Sequence, residues 1–345
     1  MNLKQLSEIL HLSQTTISRA LNGYPEVSEA TRKRVVAAAE AHGYHPNMRA
    51  RSLATGRSMA IGHVIPVSTK HEMVNPIFAD FIAGAGETYS KNGYDMLISV
   101  VSDENEESAY REFRTKGSVD GIIMHAPRLG DPRVALLDEI GLPFVVHGRA
   151  SDARTPYSWV DVNNMHAFQR ATAFLLDLGH RRIALVNGLE SMDFAIRRRA
   201  GFEDAMTARG LEVDPRLMFQ GEMTESYGHD VARALLAAPN PPTAFLVSSM
   251  ITAIGVRRAI EEVGLRMGRD ISIITHDDEL SYLRNGSDIP LFTATRSSVR
   301  EAGRLSAEML LDIVKTPGAT PRNRLLEAEL TLGQSTGPAP EASAQ

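Results

Sequence analysis

The sequence predicts a small all-α N-terminal head followed by an α/β body of two lobes, each a doubly wound parallel sheet. The chain has 345 residues, enough for two to three domains at about 150 residues each. The N-terminal segment has apolar residues at helical spacing, and from position 60 onward short apolar runs alternate with helical periods. Such alternation indicates parallel strands covered by helices on both faces. The strands are too many for one compact sheet, so we expect two lobes.

The composition is that of a globular chain and excludes several classes of protein. Hydrophobic residues make up 43% of the sequence, and no run approaches the ~18 consecutive apolar residues of a membrane span. The first residues, MNLKQLSEIL, lack the apolar core and cleavage site of a signal peptide. Without cysteine there are no disulfides, thiolate zinc ligands or cysteine nucleophiles. We therefore expect a cytoplasmic protein that needs no cofactor and no metal.

Charge is distributed unevenly along the chain. Residues 1–58 carry a formal charge of +4, whereas the remainder carries −9. A basic head on an acidic body is typical of a nucleic-acid contact joined to a domain that avoids nucleic acid. A merely soluble surface is the alternative explanation of the +4.

The head has the apolar spacing of three short helices. The first carries one apolar stripe, formed by Leu3, Leu6, Ile9 and Leu10. The second is predicted over residues 14–21, with Ser13 as its N-cap. The third follows the N-cap Ser28, ends near Gly43 and has an apolar face of Val35, Val36 and Ala39. Two helices joined by a tight turn, with a third across them, predict a helix-turn-helix.

The second helix is the one that would enter the major groove of DNA. Its polar residues are Gln14, Thr15, Thr16, Ser18 and Arg19. Glutamine can pair bidentately with adenine and arginine with guanine. An amphipathic hairpin with a hydrated polar face is the alternative interpretation.

A short basic segment follows the head. Residues 48–54 could form a helix that carries Arg49, Arg51 and an exposed Leu53, a poor composition for an isolated helix in water. Minor-groove proteins insert such an apolar wedge between base steps while basic residues neutralise phosphates. The alternative is a plain linker whose Leu53 packs on the body.

These segments resemble the lactose/galactose-repressor (LacI/GalR) family of bacterial transcription factors. The matching residues are LSQTTISRALNG (12–23), VSEATRKRVVAAAEAHGYHPN (27–47) and ARSLATGRS (50–58), and the match continues through the body. The resemblance implies base-reading positions at Gln14, Thr15 and Arg19. It also implies that Thr16, Ser18 and Asn22 lie near phosphates and that Leu53 is the minor-groove wedge of a hinge helix.

On this basis we divide the chain into four parts. They are a helix-turn-helix DNA-binding domain (1–46), a hinge helix and linker (47–58), a two-lobed effector-binding and dimerisation domain (59–333) and a tail (334–345). The tail is small and polar, so we expect it to be disordered. It contains the hydrolase string G-x-S-x-G at 333–337, but the acid and histidine of a hydrolase cannot follow within the remaining residues. We therefore expect no enzymatic activity.

The body alternates strand-like and helical segments. Strands are predicted at 60–66, 96–101, 121–124, 144–147, 183–186, 244–247 and 271–275, and helices at 77–91, 106–116, 132–139, 167–178, 194–209 and 251–263. In doubly wound folds, ligands bind at the carboxyl ends of the strands. The resemblance implies a periplasmic-binding-protein-like body with an effector in the cleft and a chain that crosses between the lobes three times.

Six residues are candidate effector contacts. By resemblance, Arg198 matches the family's effector-binding arginine and Asp277 its hydroxyl-binding acid; the alternative for both is an interlobe salt bridge. Phe78 matches the family's aromatic contact, and the alternative is that it packs in the core. Asn163 and Ser249 are polar candidates in loops that depart from the family pattern, and His147 follows a strand. A structural role is the alternative for His147. The same alternative applies to two further candidates, His125 and Trp159.

The preferred function is repression of a carbohydrate-utilisation operon. A homodimer would hold a palindromic double-stranded operator and release it when a mono- or disaccharide, such as an α-glucoside or α-galactoside, binds between the lobes. The helices at 77–91 and 253–263 are candidates for the dimer contact. One alternative is a regulator of the same fold that a purine or another metabolite activates as corepressor. The other is a solute-binding protein without a DNA function.

Overall fold

The computed structural model describes residues 1–21, 23–44, 56–66 and 76–340. It divides the chain into two compact units, Met1–Met59 and Ala60–Gln345. Three of the predicted DNA contacts, Asn22, Arg51 and Leu53, lie outside the described residues. Within them, no helix combines the length and the apolar character that crossing a bilayer requires.

The N-terminal unit contains the three predicted helices, α1 (Leu3–Leu10), α2 (Gln14–Leu21) and α3 (Glu29–Ala41). The Ser13 hydroxyl accepts a hydrogen bond from Thr16 N at 3.0 Å, and Ser28 caps α3 in the same way. Their common core consists of Leu6, Ile17, Ala20, Val27, Val35, Ala39 and Tyr44. Val36 is exposed, so its prediction as part of the apolar face was wrong. The helical period brings Val35 and Ala39, four residues apart, to the core instead.

Two of the basic residues of this unit support its own backbone. Arg34 donates from Nη2 to the Leu10 carbonyl at the end of α1, at 3.0 Å. Arg32 donates from Nη2 to the Tyr24 carbonyl, also at 3.0 Å. Cations that pair with carbonyls at a helix end stabilise it. Part of the +4 charge of residues 1–58 therefore stabilises the backbone of this unit.

The body consists of two six-stranded sheets, one in each lobe. The first sheet has the order β11-β5-β4-β3-β1-β2, with β1 (Ala60–Pro66), β2 (Asp95–Val101), β3 (Gly121–Met124), β4 (Phe144–His147), β5 (Trp159–Val162) and β11 (Asn323–Leu326). The second has the order β12-β10-β9-β8-β6-β7, with β6 (Ile183–Asn187), β7 (Met218–Gln220), β8 (Ala244–Val247), β9 (Ser272–Asp277), β10 (Thr293–Arg296) and β12 (Glu329–Thr331). All pairs are parallel except β10 with β12.

Helices cover both sheets. The first lobe holds α4 (Pro76–Lys91), α5 (Glu106–Lys116), α6 (Pro132–Glu139) and α11 (Val299–Lys315), and the second α7 (Asn164–Asp177), α8 (Asp193–Ala208), α9 (Glu225–Leu236) and α10 (Met250–Glu262). Single 3₁₀ turns occur at Asp103–Asn105 and Pro215–Leu217. Every strand and helix predicted for the body is present within a few residues. The sequence analysis missed β5, β7, β10–β12, α9 and α11.

The chain crosses between the lobes three times, as the resemblance implied. The crossings follow β5, β10 and β11, and they lead into α7, α11 and β12. Because all three lie at the carboxyl ends of strands, they border the same cleft.

The apolar face of α4 is used inside its own lobe. Phe81, Ala85 and Tyr89 are buried, and the helix packs along α11. On α10, by contrast, Ile254 is partly exposed.

Part of the tail is ordered, against the prediction. The Ser335 hydroxyl accepts from Thr293 N at 2.8 Å and donates to the Ile273 carbonyl at 2.6 Å. Further along, Ala339 N donates to the Leu178 carbonyl at 2.8 Å. Residues 334–340 are therefore held by the second lobe because their small side chains let the backbone approach β9 and β10. Residues 341–345 lie outside the described residues.

Candidate functional site

Helix α2 exposes a polar face in the N-terminal unit. Ile17 and Ala20 are buried in the core, whereas Gln14, Thr15 and Arg19 are exposed. The other two candidates, Thr16 and Ser18, are half-buried, and the Thr16 hydroxyl lies 2.8 Å from Ser13 Oγ in the helix cap. The face therefore offers one amide, one hydroxyl and one guanidinium group to a partner.

A cavity of about 570 Å³ lies in the body, at the carboxyl ends of the strands of both lobes. That volume is typical of small-molecule sites. Three of the predicted contacts line it, namely Phe78, His147 and Arg198. Trp159 does not line it and instead packs with the core of the first lobe.

The first lobe contributes an aromatic wall, which we define as Phe78, Phe81, His125 and His147. The His147 ring stacks on Phe81 with centroids 4.2 Å apart, and His125 meets Phe81 edge-on at 4.9 Å. Burial lowers the pKa of His147 to about 4, although Asp278 opposes the shift. The pKa of His125 is also far below its ordinary value, chiefly through burial. Both rings are therefore neutral at pH 7.

The loops behind this wall have unusual backbones. Ala126 adopts a left-handed φ of 47°, and its carbonyl accepts from Arg133 Nη2 at 3.0 Å. Gly148 has a φ of 103°, and a Cβ there would lie 2.8 Å from Pro127 Cγ. Only glycine fits that position without strain.

The second lobe contributes a polar wall, which we define as Asn164, Arg198, Ser248 and Asp278. Arg198 donates from Nε to Asn164 Oδ1 and from Nη1 to the Ser248 carbonyl, both at 2.7 Å. Burial lowers the pKa of Arg198 to about 10, against the opposing effect of Asp278 and Asp161. Burial alone would raise the pKa of Asp278, but His276 and Arg198 bring it below its ordinary value. Both groups are therefore charged at neutral pH.

Three predicted contacts do not line the cavity, because each supports nearby backbone. Asn163 caps α7 by accepting from His166 N, and it donates to Glu327. Ser249 caps α10 by accepting from Thr252 N.

Asp277 likewise accepts from Glu279 N at 2.9 Å. In each case the adjacent residue lines the cavity, and these are Asn164, Ser248 and Asp278. The predicted loops thus border the cavity, but the neighbour of each predicted residue lines it. In the described residues, no group of three histidine or carboxylate side chains is arranged to hold a metal ion.

Hydrogen bonds also join the two lobes directly. Ser151 N donates to Asp193 Oδ2 at 2.7 Å, and Arg197 Nη2 donates to Ser151 Oγ at 2.5 Å. Elsewhere, Ser281 N of the second lobe donates to Asp80 Oδ2 of α4 at 2.7 Å. Arg197 of α8 therefore bridges the two lobes.

Comparison with known proteins agrees with this architecture. Residues 11–47 match the family described as "Bacterial regulatory proteins, lacI family", and residues 172–336 match the "Periplasmic binding protein-like domain". The HTH-type transcriptional regulator AglR of Rhizobium meliloti (strain 1021) is 43% identical over 343 residues, which cover 99% of this chain and 96% of AglR.

The chain belongs to the LacI family. It is a transcriptional regulator with a DNA-binding helix-turn-helix domain and a periplasmic-binding-protein-like body.

Two solved LacI-family structures resemble the chain over nearly its whole length. One is a lac repressor dimer bound to operator and the anti-inducer ONPF, with a TM-score of 0.83, 25% identity and coverage of 98% of this chain and 99% of that one. The other is a complex of the transcriptional regulator CelR with cellobiose, with a TM-score of 0.72, 27% identity and coverage of 97% and 99%.

Proposed function

We propose that this LacI-family regulator is a homodimeric repressor of a carbohydrate-utilisation operon, released from a palindromic operator by a neutral mono- or disaccharide. The observation that carries the proposal is the cavity of about 570 Å³ with one aromatic and one polar wall, in a chain that also has a DNA-binding head. Sugars combine apolar ring faces with many hydroxyls, and the two walls match those two features. The solved complex of CelR with cellobiose supports the choice of a saccharide.

The charges of the cavity favour a neutral ligand. Among the described residues, two guanidinium groups line it, those of Arg149 and Arg198. Arg149 donates from Nε to Asp161 Oδ2 at 2.6 Å, and Arg198 is offset electrostatically by Asp278 and Asp161. A further carboxylate, Glu222, also lines the cavity. The charges of both guanidinium groups are already offset by carboxylates of the protein. A phosphate or carboxylate ligand would therefore gain little from these cations and would be repelled by the protein's carboxylates.

The mechanism we propose is a shift between two lobe arrangements. The effector contacts both lobes, so it favours the arrangement that best fits it, and it shifts the equilibrium only by its differential affinity. We propose that this moves the segment 47–58, including the hinge helix that the sequence predicts with Arg51 and Leu53, on or off DNA. Truncating Leu53 to Ala should then weaken operator binding and leave effector binding intact.

A thermal-shift screen of the full chain tests the effector. The panel contains maltose, sucrose, trehalose, melibiose and cellobiose, with glucose 6-phosphate, trehalose 6-phosphate, hypoxanthine and guanine. A ligand at 100 times its Kd adds about 2.7 kcal/mol, or about 5 °C for a body of this size. We expect shifts with neutral saccharides. Shifts with phosphate esters or purines alone, or with nothing in the panel, would contradict the proposal.

Selection from randomised duplex DNA tests the head. We expect the full chain to enrich a palindrome, and its affinity to fall linearly with the logarithm of salt concentration. Arg19→Ala should weaken binding by about 1–3 kcal/mol and relax the preference at one base pair. Arg257→Ala on the body is the matched control and should bind like the parent. Equal binding by both variants would exclude Arg19 as a base-reading residue.

A further inference from the structure

A buried histidine stands behind the aromatic wall. His63 lies in β1, and its side chain is fully buried. Its Nδ1 is 2.9 Å from Nε2 of His125, and its Nε2 is 3.3 Å from the Tyr89 hydroxyl of α4. The three polar groups form a hydrogen-bonded line from the core of the first lobe to a residue of the cavity.

Each member of this line is neutral at pH 7. Burial lowers the pKa of His63 to about 3 and that of His125 well below its ordinary value. Burial also raises the pKa of Tyr89, so its hydroxyl keeps the proton. A neutral imidazole has one N–H donor and one acceptor nitrogen. The position of the proton on one member of the line therefore determines which atom of the next member is protonated.

The Tyr89 hydroxyl sets the direction of the line. When it donates to Nε2 of His63, the His63 proton is on Nδ1 and is donated to Nε2 of His125. The proton of His125 is then on its own Nδ1. In the opposite order, His63 would donate to the Tyr89 oxygen, and the hydroxyl proton would find no acceptor among the described residues. The first order places its unpaired donor on His125, which lines the cavity, whereas the second leaves it on the buried Tyr89, so the first order is preferred.

We infer that His125 is a specificity-determining hydrogen-bond donor of the cavity, its Nδ1–H meeting an oxygen of the effector, and that His63 and Tyr89 are the positioning residues that fix its tautomer. No described residue bonds to Nδ1 of His125. The residue lines the main cavity and also a second one of about 320 Å³ that shares Phe78 with it. The part of this inference that concerns the effector rests on the proposed function, whereas the proton order does not.

Nitrogen NMR of the effector-free protein tests the proton order. Long-range ¹H–¹⁵N spectra of the imidazoles at pH 7 distinguish protonated from bare ring nitrogens, and His63→Gln and His125→Gln spectra assign the signals. We expect Nδ1 of His125 to be protonated and Nε2 bare. Tyr89→Phe removes the donor that sets the order and should give a mixed or reversed tautomer. A proton on Nε2 of His125 in the parent protein would overturn the inference.

Calorimetric titration with maltose, sucrose and melibiose tests the role in binding. Tyr110→Phe is the matched control, because Tyr110 is equally buried in the same lobe and donates to Glu106 instead. We expect Tyr89→Phe to weaken saccharide binding between about threefold and tenfold, and Tyr110→Phe to leave it unchanged. Equal affinities in the two variants would overturn the role of the line. Binding of none of the three sugars would instead count against the proposed effector, with the tautomer decided separately.

Discussion

The two walls of the cavity differ in what burial does to the charge of their ionisable side chains. The aromatic wall of the first lobe consists of rings that are neutral because burial lowers the pKa of its histidines. The polar wall of the second lobe keeps a buried charge, Arg198, because two acceptors at 2.7 Å and nearby carboxylates stabilise it. One wall thus offers apolar ring surfaces and the other polar and charged hydrogen-bonding groups. The contrast shows that burial removes a charge only where no partner is present.

Removing the charge of the polar wall should have the largest effect. Arg198→Met leaves two buried acceptors without their partner and removes a cation that stabilises the Asp278 carboxylate, and we expect a loss of about 3–5 kcal/mol in the free energy of unfolding. Urea denaturation measures it. Arg199→Met is the matched control, since Arg199 is 42% exposed and pairs with Glu190 and Glu203 on the surface. The control should change stability by about 1 kcal/mol or less. Similar losses in both variants would contradict a special role for Arg198.

Acid should weaken the first lobe. The folded-state pKa values of His63 and His147 are about 3 and about 4, below the ordinary 6.5, so the unfolded chain binds protons that the folded chain does not. The free energy of unfolding should therefore fall as pH drops from 6.5 to 5, by about 1.4 kcal/mol per pH unit for each histidine.

The fluorescence of Trp159, the single tryptophan of the chain and a residue of the first-lobe core, reports this unfolding. His147→Gln should remove about a third of the slope, because burial also lowers the pKa of His63 and of His125. A flat profile between pH 5 and 6.5, or an unchanged slope in the variant, would count against neutral histidines in the aromatic wall.

A smaller effect is expected where the loops of the aromatic wall meet. Gly148→Ala places a Cβ 2.8 Å from Pro127 Cγ at a φ of 103°, and we expect a destabilisation of about 2 kcal/mol. Gly93→Ala has a comparable positive φ of 71° but no atom within 4 Å, so it isolates the backbone contribution at about 1 kcal/mol. Denaturation of both variants gives the difference. Equal values would show that the contact with Pro127 relaxes.

The smallest expected effect concerns the contact that joins the two lobes. Ser151→Ala removes the acceptor of Arg197 Nη2, and we expect a loss of about 1 kcal/mol in the free energy of unfolding. Because this bond stabilises one lobe arrangement, saccharide affinity should change by a few-fold as well. Ser226→Ala, on the exposed side of α9, is the control. An unchanged saccharide affinity in Ser151→Ala would show that this contact does not influence the equilibrium between the lobe arrangements.

The fold was predictable where local signals are strong. Helices α2 and α3 begin at the capping serines that the sequence indicated, and the strands β1, β3, β4 and β8 have their predicted bounds. The missed strands β5, β7, β10, β11 and β12 all contain polar residues, whereas β3, β4 and β8, which are equally short, are nearly continuous apolar runs. A short apolar run is recognisable as a strand, and a short mixed segment is not.

Each of the six predicted effector contacts either lines the cavity or is adjacent in sequence to a residue that does. Arg198 lies within a long helix, where the period fixes its direction, and it lines the cavity as expected. Asn163, Ser249 and Asp277 lie where a strand gives way to a turn or helix. There a capping side chain turns to its own backbone, and its neighbour faces the cavity.

The sequence by itself determined the helix-turn-helix, the two α/β lobes and the loops that border the cavity, because caps, apolar periods and motif spacing act over a few residues. Only the tertiary structure decided which polar neighbour faces the cavity, that His63 stands behind His125, and that Ser335 holds the tail against the second lobe. These outcomes depend on contacts between residues far apart in the chain. Burial and hydrogen-bond satisfaction set them, and both are properties of the packed molecule.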